Sequence, residues 1–103
     1  MNFELRRNLQ FTKLIKAEGR LREFNFTRHT VLGDTFFTVD VVDDRGNRII
    51  FRMQRSGNGW SITNPDLPDW VLHNEPFLQQ FIEEEMSTDD RVHRVVEPES
   101  QTS

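Results

Sequence analysis

The sequence contains no cysteine among its 103 residues, which excludes a disulfide scaffold, a thiolate nucleophile and any cysteine-ligated zinc or iron–sulfur centre. It also lacks an apolar run approaching the roughly 18 residues a membrane span needs, and Met1-Asn2-Phe3-Glu4-Leu5-Arg6-Arg7 has no apolar signal-peptide core. The expectation is a cytoplasmic protein with no membrane partner. No internal repeat is visible, and at roughly 150 residues per domain there is no room for a second core. Lysine is scarce too. Of the 13 cationic residues only Lys13 and Lys16 are lysines, and the rest are arginine, the better residue for bidentate contacts to carboxylate or phosphate.

What the chain does hold is enough to fold. Leu, Ile, Val and Phe make up about 29% of it, above the roughly 20% below which charged chains stay unfolded. The formal net charge of −4 is an average of unlike halves: residues 1–60 carry a surplus of cations and residues 61–103 a surplus of anions. A basic part attracts phosphate and an acidic tail repels it.

Residues 35–42 and 48–55 are β-branched and aromatic runs separated by Asp43-Asp44-Arg45-Gly46-Asn47, which predicts a hairpin. Ser56-Gly57-Asn58-Gly59 then turns the chain into a third strand beginning at Trp60. Upstream, Leu21 to Arg28 alternates, with Arg22, Phe24, Phe26 and Arg28 on one face. The first twenty residues have helix-favouring composition but no clean apolar stripe. The reading prefers a strand over residues 10–16 hairpinned onto 21–28 around Gly19, leaving open a short helix before residue 10 or a single helix over 4–17. Pro65 and Pro68 end the sheet, Asp69 to His73 suits a helical turn, and Asn74-Glu75-Pro76 opens a helix with Asn as N-cap. The expected fold is α+β: an antiparallel meander of four to five strands with one face covered by a C-terminal helix, and an N-terminal segment that is strand or short helix. Residues 1–86 form the domain, and 87–103 are expected to be a disordered acidic tail beginning at about residue 87 or 97.

Strand parity assigns Phe24, Phe26, Phe37, Val39, Val41, Ile49, Phe51, Met53, Trp60 and Ile62 to the core, under Trp70, Phe77, Leu78, Phe81 and Ile82. The other face is polar with both signs, interrupted by Phe36, Val42 and Ile50, a candidate interaction patch. Arg22, Arg28, Arg48 and Arg52 interleave with aromatics, the combination that holds phosphates and stacks bases, although Phe24 and Phe26 are needed by the core and no ribonucleoprotein octamer is present. Arg22 and Arg28 then sit at strand ends with their heads in water. A tail folded back over Arg48 and Arg52 would mask that surface.

No catalytic constellation assembles. His29 in a loop near Asp34 offers at most a lone base, and Ser56, Ser61 and Ser87 have no sequence neighbour that activates them. Gly57-Asn58-Gly59 leads into a strand, so it is a hairpin turn rather than a phosphate cradle. Asp89 or Asp90 with His93 falls short of a metal site, and Glu83-Glu84-Glu85 is a solvated helix end or an acidic docking surface. The expected protein is therefore no enzyme, without cofactor or metal. It is a protein-interaction or small-ligand module, with a protein partner or a homodimer as its company, through a sheet edge or through Phe36, Val42 and Ile50. The alternative is single-stranded nucleic-acid binding through an Arg-rich sheet face.

Overall fold

The computed structural model describes residues 9–57, 59–64 and 66–96, with side chains described as far as Asp89. Five strands follow one another as neighbours in a single antiparallel sheet: β1 (Gln10–Ala17), β2 (Arg20–Val31), β3 (Asp34–Val42), β4 (Arg48–Ser56) and β5 (Gly59–Ile62). Two helices follow, α1 (Asp69–Leu72) and α2 (Glu75–Val96). The fold is the expected small α+β meander, and the N-terminal ambiguity resolves as strand. β1 pairs with β2 from Gln10 opposite Thr27 to Ala17 opposite Arg20. A helix before residue 10 would fall on residues outside those described.

The turns explain the register. Ala17 and Arg20 are joined through Glu18 and Gly19, and Val31 and Asp34 through Leu32 and Gly33, with positive φ at all four connecting residues. Two successive left-handed residues make the two-residue turn whose twist matches a hairpin. The β3–β4 connection is built on Asp43, whose carboxylate accepts from the backbone N–H of Arg45 (2.9 Å) and of Asn47 (2.7 Å).

One face of the sheet holds the core. Phe24, Phe26, Phe37, Val39, Val41, Phe51, Met53 and Trp60 are buried as parity predicts, and Ile15, Ala17 and Val71 join them. Rings link the strands: Phe11 stacks on Phe26 at 4.5 Å, and Phe37 meets Trp60 edge-on at 5.2 Å. Trp60 Nε1 is buried with no hydrogen-bond partner among the described residues. Leu78 and Ile82 of α2 close the core, with Phe81 and Met86 partly buried beside them. Phe77 does not belong there. It is 53% exposed, because one residue before Leu78 it lies off the buried stripe of the helix.

α2 crosses the sheet from one edge to the other. At its start Glu75 Oε2 accepts the backbone N–H of Ile62 in β5 (2.9 Å); further on Glu85 pairs with Lys13 of β1 (3.1 Å) and Asp89 with Arg28 of β2 (3.1 Å). The tail boundary drawn at Ser87 falls inside this helix, which runs on to Val96, and residues 97–103 lie outside those described. Glu83, Glu84 and Glu85 are accordingly mid-helix and not a helix end. Asn74 precedes α2, but its side chain donates to the Trp70 carbonyl (2.7 Å), tying α1 to α2. No described helix is long and apolar enough to cross a membrane.

Candidate interaction face

Among the described residues, the opposite face of the sheet carries no helix. Its residues follow from the register. Gln10, Thr27, Thr38 and Arg52 form one row across the strands, and Thr12, Asn25, Asp40 and Ile50 the next. Leu14 and Glu23 are paired, as are Val42 and Arg48; continuing the β2–β3 register by two residues sets Glu23 beside Val42. Polar groups on this face satisfy one another in part: Thr12 Oγ1 donates to Asn25 Oδ1 (2.7 Å), and Asn25 Nδ2 to Asp40 Oδ1 (3.1 Å).

The apolar residues on this face are not arranged as the sequence suggests. Val42 and Ile50 are exposed as expected, but Phe36 stands six residues from Val42 along β3, roughly 20 Å away at strand rise. Phe36 is half-buried between two neighbours, the ring of His29 from β2 (4.9 Å, stacked) and the guanidinium of Arg52 from β4 (3.9 Å from its centroid). The residues that do join Val42 are Leu14, 62% exposed, and Leu21, 65% exposed, while Ile50 stands on β4 opposite Asp40. Leu14, Leu21 and Val42 line an open groove of about 430 Å³ with Glu23, Arg22 and Asp44. With the N-terminal register unsettled, parity could not place Leu14 on this face, and Leu21 was hidden as the first residue of an expected strand.

The four arginines proposed as an anion surface are divided between the two faces. Arg22 and Arg28 lie on the covered face, and neither has its head in open water. Arg22 is buried, with Nε donating to the Ala17 carbonyl (3.2 Å), Nη2 to Asp44 (3.0 Å) and the guanidinium over the Trp70 ring (4.6 Å). Arg28 lies beneath α2 against Asp89 and Met86. Both face inward because an acidic or aromatic partner comes from elsewhere in the chain to meet them. Arg48 and Arg52 are on the uncovered face, Arg48 within 3.9 Å of Asp40. α2 packs over the opposite face from these two.

His29 is not a loop residue. It lies inside β2, where its Nε2 shares a hydrogen bond with Thr38 Oγ1 (2.9 Å), and Asp34 stands opposite Val31 instead. Among the described residues no three His, Asp or Glu side chains gather as a metal-holding group, and Asp89 is engaged with Arg28. The side chains of Asp90 and His93 lie outside those described.

No protein-family model matches the chain, and no curated protein or solved structure matches it. Its class is the one its own topology defines: a small α+β domain, a five-stranded antiparallel meander with one face under a helix and the other uncovered among the described residues.

Proposed function

We propose that this protein is a non-enzymatic protein-interaction module whose working surface is the uncovered face of the sheet. The observation that carries this reading is the cluster of Leu14, Leu21, Val42 and Ile50, each about half exposed or more, on a face that no described element covers. Leu14, Leu21 and Val42 line one groove, so this part of the cluster is a shared surface and not scattered exposure.

The sheet edges support the face over the edge as the contact. β1 carries both lysines of the chain, one on each face, and charge on an edge strand, especially inward-pointing charge, discourages strand addition. β5 is four residues long, and the carboxylate of Glu75 occupies the N–H of Ile62 that a new strand would use. Nucleic-acid binding is the weaker alternative, because Arg22 and Arg28 are engaged on the covered face and the open face balances Arg48, Arg52 and Lys16 against Glu23, Asp34 and Asp40. A phosphate backbone is drawn to a surplus of cations, not to a balanced face.

A photo-crosslinking residue placed at position 50 or 14 in cells, with Glu83 as a control on the exposed side of α2, tests the reading. Specific adducts from 50 and 14 that are absent from 83 are the expected result, with the attached protein identified by mass spectrometry. Positions 50 and 14 giving no more adduct than 83 would overturn it.

A further inference from the structure

We propose that the far part of α2, from Glu83 onward, is a latch that unwinds from the sheet as a unit of its own, uncovering Lys13 and Arg28 beside the stacked rings of Phe11 and Phe26. The near part of the helix stays in place when it does.

The two parts of α2 are held by different forces. Leu78 and Ile82 are fully buried, Phe81 packs beside them, and Glu75 fixes the start of the helix to the N–H of Ile62. From Glu83 to Asp89 no residue is buried, and Met86 is the one apolar side chain. This stretch is fastened by charge: Glu85 on Lys13 (3.1 Å) and Asp89 on Arg28 (3.1 Å), with Arg28 Nη1 also donating to the Met86 sulfur (3.5 Å). Both ion pairs are partly open to water, so salt weakens them, whereas it leaves the burial of Leu78 and Ile82 in force.

The sequence makes the far part depend on those two cations. Glu83-Glu84-Glu85-Met86-Ser87-Thr88-Asp89-Asp90 puts five acids in eight residues with no cation before Arg91. Glu85 and Asp89 stand four apart, a spacing at which like charges destabilise a helix, and Ser, Thr and Asp are poor helix formers. Lys13 and Arg28 answer the two carboxylates from the sheet. Helix and latch therefore form together and come apart together, as a local unit less stable than the core.

What the latch covers is specific. Phe11 stands opposite Phe26, and their rings stack at 4.5 Å. Lys13 follows Phe11 by two residues on β1 and Arg28 follows Phe26 by two on β2, so in antiparallel strands the cations flank the ring pair on opposite sides. In the closed form the carboxylates of the latch occupy both cations; in the open form two cations and an aromatic pair face water together.

Hydrogen exchange of the full chain, followed residue by residue by NMR, tests this. In α2 the amides of residues 87–94 bond to carbonyls of the far part, and those of 79–85 to carbonyls of the near part. The far set is expected to exchange about tenfold or more faster than the near set, with a step between them and not the steady gradient of a fraying end. Raising salt from about 20 mM to about 0.5 M should quicken the far set about threefold or more and leave the near set within about twofold. Lys13→Glu and Glu85→Lys, on separate elements, should each quicken the far set about threefold to tenfold. The double variant restores the pair with its signs exchanged and should return to within about twofold of wild type. Uncovering has its own readout in the two lysines of the chain: at low salt Lys13 should be acetylated several times more slowly than the exposed Lys16, and the gap should close in about 0.5 M salt. Circular dichroism checks that each variant folds; should Lys13→Glu not fold, Glu85→Lys and the salt series decide alone. One exchange rate along both parts of α2, a far set indifferent to salt and to both charge reversals, or a Lys13 that stays slow in high salt would each overturn the latch.

Discussion

The guanidinium of Arg22 lies 4.6 Å from the centre of the Trp70 ring, and this contact fastens α1 to the first hairpin. Arg22 also donates to the Ala17 carbonyl and to Asp44, so one buried side chain holds the end of β1, the β3–β4 turn and a helix. Replacing it with alanine strips these partners at once. Arg22→Ala is expected to cost about 2–3 kcal/mol, less than a fully buried ion pair would, because Asp44 is largely exposed and recovers water. Arg22→Lys keeps the charge but not the planar fork and should cost about half as much. Urea unfolding of both variants checks this, and a lysine variant as stable as wild type would show that charge alone is what matters there.

Part of this arrangement was legible in the sequence. The β3–β4 hairpin was, because Thr35 to Val42 and Arg48 to Arg55 are β-branched and aromatic runs around a turn rich in Asp, Gly and Asn, and all the information is local. β1 was harder. Its apolar parity is broken by Lys13, which faces inward because Glu85, far along the chain, reaches across to meet it. Arg22 and Arg28 looked like exposed strand ends for the same reason: Trp70, Asp44 and Asp89 are brought to them only by the fold. The length of α2 was illegible because its last ten residues are mostly polar, with valine as their one apolar type, and no glycine or proline marks a stop before Pro98. The interaction face inherited the first of these uncertainties, since Leu14 and Leu21 join Val42 only once β1 is a strand in register.

Leu32 is 99% exposed and has φ of 53°, a left-handed backbone that a leucine adopts at a cost and without any packing return. Asparagine tolerates that conformation and precedes glycine in the preferred two-residue hairpin turn. Leu32→Asn, giving Asn followed by Gly33, should therefore stabilise the protein by about 0.5–1 kcal/mol and raise the melting temperature by roughly 2–8 °C. Calorimetry measures it. A lowered melting temperature would mean that Leu32 makes a contact that its exposure conceals.

Asp43 connects the same kind of turn chemistry to pH. Backbone N–H donation from Asn47, helped by the Asn47 side chain and by Arg45, holds its carboxyl below the ordinary value of 3.8. These donors bind the charged form, so the folded chain releases this proton more readily than the unfolded one. The stabilisation from Asp43 is complete above the ordinary value and is lost as pH falls through the lowered one. Asp43→Ala removes the acceptor at every pH. It should be clearly less stable than wild type at neutral pH, and the gap should narrow below about pH 4, once the wild-type carboxyl begins to protonate in the unfolded chain. Paired thermal scans from pH 6 to pH 3 test this, together with a titration of the Asp43 carboxyl carbon by NMR. A gap that stays constant across the range, or a carboxyl that titrates at or above the ordinary value, would show that the turn is held by backbone geometry and not by the charge on Asp43.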